Sequence, residues 1–245
     1  MLTEIIEEAY RLFSNYKTIR PLDICTVCCM TPEAEERLAT LPVKLIPCKL
    51  LSEYNDGARS EKTRIEEIKH FLPKYLELIG KFEFPSHSTE LSFSRLTPFN
   101  KFEWTNNELT LLEQFSQEFF ELCVSYYPIP SFSDKIDTIL IMFWRANFVN
   151  ILDLLTIWKN NTSKESLLHL RDFVFNGFVQ YDQSKLNNPF GDKKLADILR
   201  NWLDNEEVKE TFAKAIEEMI VEKNELTTTD SNELIMTYEI LKTKT

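Results

Sequence analysis

Between Asp134 and Trp158 the chain carries Ile136, Ile139, Leu140, Phe143, Trp144, Phe148, Ile151, Leu152 and Leu155 at helical spacing. A helix that is apolar on nearly every face is stable only where other elements cover it, so this stretch predicts a central, buried helix. Asp137, Arg145, Asn147, Asn150 and Asp153 interrupt it, too many polar groups for a bilayer span. Only four glycines punctuate the 245 residues, which leaves few tight turns and favours helices over a multi-stranded sheet. The expected fold is all-α, a single multi-helix bundle around that buried helix.

The remaining helices follow from caps and apolar periods. Ile5, Ile6, Tyr10 and Phe13 predict a first helix over Thr3 to Tyr16. Thr31 is a good N-cap and Pro32 a good first residue for a short helix to Thr40. Prolines should hold Leu41 to Pro47 extended, with a helix from Cys48 to Asn55 stopped at Asp56-Gly57. Lys62 to Gly80 reads as a longer helix that Pro73 should end or kink near Leu72. Phe82 to Asn100 reads as a loop in which Leu91, Phe93 and Leu96 form a helical turn.

Beyond it, Thr105 caps a helix to about Tyr126, and Ser163 caps one over Lys164 to Val179. Further helices are expected over Lys193 to Leu203 and Asn205 to Lys223. In the latter, Val208, Phe212, Ala215, Ile216, Met219 and Ile220 form one stripe. Thr227 to Asp230 reads as a polar hinge before a last helix ending near Lys242. With no internal repeat or long linker, one helical domain over 1–245 is expected. A cysteine- and proline-rich segment fills 21–100, and a helical core with acidic C-terminal helices fills 101–245.

Four of the five cysteines lie between Pro21 and Gly80. Two residues separate Cys25 from Cys28, the spacing of a metal knuckle or a redox pair. A zinc site needs four donors, and Cys48 and His70 are the nearest candidates to complete Cys25 and Cys28, with Cys29 adjacent. Cys28 and Cys29 also precede the Thr31-capped helix start, where thiolates form more easily. The simplest reading places these cysteines as small apolar packing in a tight turn. Zinc ranks second and redox chemistry third.

The run Cys25 to Glu33, C-x-x-C-C-M-T-P-E, is joined by Leu41 to Pro47, Leu50 to Ala58, Lys69 to Ile79 and Phe84 to Ser88. Together these pieces resemble a widespread, uncharacterised family of bacterial proteins. The likeness covers about a third of the chain. It implies a mostly helical cytosolic protein and carries over no catalytic residue.

No nucleophile elbow, phosphate-cradling glycine loop, H-E-x-x-H pair or dinucleotide fingerprint occurs. His87 with Glu90, and His70 with Glu66, have spacings that could pair a base with a carboxylate, but such pairs are ordinary on helix and loop surfaces. His169 reads as a core histidine. Arg145, inside the apolar stretch, needs a carboxylate such as Asp137 or Asp153, or an anion.

With 39 acidic against 28 basic side chains, the formal charge is −11. That disfavours nucleic acid and anionic membrane surfaces, and suits a basic protein partner. The start, Met1-Leu2-Thr3-Glu4, leads into an acidic amphipathic segment without a signal-peptide pattern, so a cytoplasmic location is expected. The expected function is non-catalytic binding of a basic protein, with a toxin-neutralising bacterial immunity protein as the concrete case. Glu206, Glu207, Glu210, Glu217, Glu218, Glu222 and Glu225 are the surface expected to carry it. The alternative is a metal-binding or thiol-dependent enzyme or sensor built on Cys25, Cys28 and Cys29, with zinc as its cofactor.

Overall fold

The computed structural model describes residues 1–59, 64–130, 135–180, 182–221 and 226–243. The fold is an all-α bundle, with eleven α-helices and one two-stranded sheet among those residues. Contacts divide the chain into two compact units, 1–119 with 142–150, and 120–141 with 151–245.

The first unit begins with α1 (Leu2–Leu12), α2 (Pro32–Thr40), α3 (Cys48–Asp56) and α4 (Ile65–Gly80). The Thr31 side chain accepts the Ala34 N–H, so α2 starts where the Thr-Pro pair places it. Leu41 to Pro47 is not extended throughout, because Val43–Leu45 form a 3₁₀ turn. The starting residue expected for α4, Lys62, lies outside the described residues. α4 itself continues seven residues past Pro73. Ile68, Phe71, Leu72, Tyr75, Leu76 and Ile79 are all buried, and that burial outweighs the roughly 3 kcal/mol an interior proline costs. Three further 3₁₀ turns follow, at Thr89–Leu91, Ser94–Leu96 and Lys101–Glu103. The next helix, α5 (Asn106–Val124), opens on a reciprocal cap: Thr105 N–H donates to Glu108 and Glu108 N–H to the Thr105 hydroxyl.

The described part of the apolar stretch, 135–158, is two helices, not one. α6 (Ile136–Ala146) and α7 (Ile151–Asn160) are separated at Asn147, whose φ is 61°. Asparagine is the residue other than glycine that most readily enters the left-handed region, and one such residue stops an α-helix. The expectation of burial holds in α6 for Ile136, Ile139, Leu140 and Phe143, is met only halfway by Trp144, and fails at Leu152 in α7, which is 55 % exposed. Ser133 and Asp134 lie outside the described residues.

The second unit adds α8 (Lys164–Asn176), α9 (Lys193–Leu203), α10 (Glu206–Val221) and α11 (Thr228–Lys242). Ser163 and Thr227 cap α8 and α11 through their hydroxyls, so Thr227 is a helix start more than a hinge. α8 ends before Val179, and β1 (Phe178–Val179) pairs antiparallel with β2 (Asp182–Leu186). The core here is aromatic: Trp158 stacks on Trp202 at 5.0 Å, and Trp202 meets Phe212 edge-on at 5.9 Å. Arg171 joins α8 to α11 through Asp230 and Glu233. The expected end of α10 at Lys223 lies outside the described residues.

Glu77 fastens α1 to α4. Tyr10 donates its hydroxyl to this carboxylate, and Lys74 (3.2 Å) and Lys81 (2.7 Å) flank it. Burial works against the charge, but the bonds from Lys81, Tyr10 and Lys74 outweigh it and hold the carboxyl at about 2, below the ordinary 4.5. A depressed folded-state pKa contributes stability that is complete above pH 4.5 and lost as pH falls toward 2. Glu77→Gln is therefore expected to flatten the acid limb of stability against pH in that interval, as read from denaturant midpoints. An unchanged limb would show that Glu77 is not paired in solution.

Candidate functional site: a three-thiol turn

The Cys25 to Met30 turn is closed by its own backbone, with the N–H groups of Cys29 (3.3 Å) and Met30 (3.1 Å) donating to the Cys25 carbonyl. It is docked on the end of α3. Cys25 N–H donates to the Ala58 carbonyl at 2.9 Å, and Ala58 N–H donates to the Cys29 sulfur at 3.4 Å. Gly57 permits this close approach, since a Cβ there would lie 2.5 Å from the Ile24 side chain.

Three buried charged side chains hold the segment that leads into the turn. Glu35 of α2 accepts from Leu22 N–H (2.9 Å) and from the Arg20 guanidinium (2.7 Å). Glu67 of α4 accepts from Asp23 N–H (2.9 Å) and the Tyr54 hydroxyl (2.7 Å). Burial pushes the Glu67 carboxyl up, against the pull of those two bonds. Arg95, only 1 % exposed, donates to the carbonyls of Asp23 (2.6 Å), Tyr54 and Gly57 (3.2 Å). It stacks on the Tyr54 ring at 3.9 Å. Both sides of the turn, at Asp23 and at Gly57, thus hang from one guanidinium. Nothing in local patterning marks Glu35, Glu67 or Arg95 for this role; each resembles an ordinary surface charge in the sequence.

The turn brings three sulfurs together. Cys28 Sγ lies 3.4 Å from Cys25 Sγ and 3.4 Å from Cys29 Sγ, and all three lie within 4.8 Å of one another. Cys28 is exposed, Cys25 and Cys29 are half-buried, and Val27 beside them is 95 % exposed. The N–H groups of Cys28 and Val27 face the Cys25 sulfur and, helped by the Cys28 thiol, bring Cys25 down to about 7. Hydrogen bonds to Cys25 and Cys29 push Cys28 the other way, to about 11. The thiolate tendency therefore falls on Cys25, through the amides of the turn, and not on Cys28 through the helix start.

Cys48 and His70 do not join this group among the described residues. Cys48 opens α3 whereas the turn docks beyond its other end, and eight helical steps put about 12 Å between them. Burial raises the Cys48 thiol. His70 Nδ1–H donates to the Tyr16 carbonyl at 2.8 Å, not to Glu66, and burial lowers its pKa against the pull of that carbonyl.

The other singled-out residues are placed as follows. His87 meets Asp56 at 3.1 Å. His169 is a buried core histidine bonded to the Tyr126 carbonyl at 2.7 Å. Arg145 is half-buried, and its Nε has no hydrogen-bond partner among the described residues. Glu206, Glu207, Glu210, Glu217 and Glu218 are all exposed on α10, opposite buried Val208, Phe212, Ala215, Ile216 and Met219. Lys159 pairs with Glu207 at 2.8 Å and Lys214 with Glu218 at 3.7 Å. Such a charged face is what any surface helix presents, so it points to no particular partner. Glu222 and Glu225 lie outside the described residues. Among those described, no helix is long and apolar enough to cross a membrane. No protein-family model, curated protein or solved structure gives a significant match to the chain.

Proposed function

We infer that this protein is a thiolate metal-binding protein, holding zinc or a similarly thiophilic ion through Cys25, Cys28 and Cys29. One observation carries the reading: three sulfurs converge within 4.8 Å on a turn at the surface. Cysteines that serve only as packing are among the most buried of side chains, as Cys123 is at 0 % exposure. The trio is the opposite case. Tetrahedral zinc with Zn–S bonds of about 2.3 Å needs sulfurs about 3.8 Å apart, against 3.4 Å for the two pairs at Cys28 and at most 4.8 Å between Cys25 and Cys29.

Protein purified without chelator and dialysed against zinc is expected to retain about one ion per chain. Three of its five thiols should be shielded from a thiol reagent until the metal is stripped. Zinc at background level, with the three surface thiols reacting at the rate of free cysteine, would end this reading. The 3.4 Å between the half-buried Cys25 and the exposed Cys28 sulfurs favours one second reading, dithiol exchange. Cys25 would attack a small disulfide and expel one thiol. Cys28 would then displace the second thiol and leave a Cys25–Cys28 disulfide. Loss of two thiols to a glutathione disulfide buffer, reversed by reductant, would select it.

A further inference from the structure

We propose that the ion held by Cys25, Cys28 and Cys29 takes its fourth ligand from outside this chain, as an exchangeable donor that a thiolate or imidazole of another molecule can replace. This rests on the metal-binding reading above and adds how the site is used. Structural zinc sites are closed by four protein donors, whereas sites that exchange ligands keep three and leave one position to solvent.

Among the described residues, no histidine, aspartate or glutamate donor joins the three sulfurs. His70 lies outside the group. Asp56 accepts from Ser86 (2.7 Å) and from the His87 N–H (2.8 Å). Cys48 is a helix length away. The sulfurs are equally constrained. The Cys25 backbone is tied to Ala58 and the Cys29 sulfur accepts the Ala58 N–H, so the trio caps the turn from the protein side. The exposed Cys28 and the 95 % exposed Val27 leave the opposite side to solvent. An ion on three such thiolates is bound from one face only.

Cobalt(II) substituted into the full chain tests this, because its visible bands report the number and kind of donors. The expected result is a three-sulfur spectrum whose bands shift saturably on adding imidazole. With a small monothiol, the thiolate charge-transfer band should gain roughly one third as sulfur donors go from three to four. His70→Ala and Cys48→Ser should leave the spectrum and both titrations unchanged. Bands that ignore both added ligands, or that change in either variant, would overturn the open position while leaving the metal-binding reading intact. Failure of cobalt to enter at all would instead remove the metal-binding reading, and this inference with it.

Discussion

Cys28→Ser is expected to lower zinc affinity by more than about 100-fold, since losing only the outer-shell support of a ligand typically costs 10- to 100-fold. Cys28 is the middle of the trio, 3.4 Å from each neighbour. Without it two sulfurs remain, up to 4.8 Å apart, and a serine hydroxyl is a poor ligand for a soft ion. Cys28 is exposed, so the same change should move the folding stability of the metal-free protein by no more than about 0.5 kcal/mol. Loss of affinity without loss of metal-free stability is the signature. Cys48→Ser supplies the contrast: affinity should stay at the wild-type value, because α3 holds that thiol apart from the turn. Competition against a chromophoric chelator gives both affinities. A Cys28→Ser protein within about threefold of wild type, or a Cys48→Ser protein as impaired as Cys28→Ser, would refute the three-thiol site.

How far this site was legible in the sequence depends on which part is considered. The C-x-x-C spacing and the Thr31-Pro32 helix start are local signals, and both the knuckle-like turn and α2 follow from them. The choice of partners is not local. Cys48 and His70 looked available because sequence distance says nothing about α3 carrying Cys48 away from the turn, or about α4 placing His70 outside the group. The segments Cys25 to Glu33 and Leu50 to Ala58, separate in the chain, meet where Ala58 bonds to Cys25 and Cys29. Arg95 was invisible for a related reason. An arginine in a serine-rich loop reads as a solvated charge until three carbonyls from two distant segments are found around it.

Helix boundaries show the same division. Side-chain caps at Thr31, Thr105 and Ser163 each place a helix start where an N-cap residue occurs, because the bond involved spans only three residues, whereas Thr227, read as a hinge, is a cap of the same kind. Pro73 misled because a local penalty of roughly 3 kcal/mol competes with tertiary burial that local reading cannot weigh. Asn147 misled in the opposite sense, since an asparagine inside an apolar run gives no warning that it will turn left-handed.

Phe143→Ala is expected to cost about 3–5 kcal/mol of folding stability, the range for a fully buried phenylalanine. Phe143 is 0 % exposed and sits between two aromatic neighbours, with Phe93 at 6.1 Å and Phe119 at 6.2 Å. Those rings are themselves held by others, Phe93 by Phe148 at 5.7 Å and Phe119 by Phe115 at 5.9 Å. A cavity left at Phe143 therefore cannot collapse by the movement of one free side chain, which puts the cost toward the upper part of the range. Leu152→Ala is the paired measurement. Were 134 to 158 one continuous buried helix, Leu152 would be core and its truncation would cost about 2–5 kcal/mol. With the chain broken at Asn147 and Leu152 55 % exposed, the loss should stay near 0.5 kcal/mol. Denaturant midpoints for the two variants decide the point. A Phe143→Ala protein within about 1 kcal/mol of wild type would take α6 out of the core, and a Leu152→Ala protein as damaged as Phe143→Ala would restore the single helix.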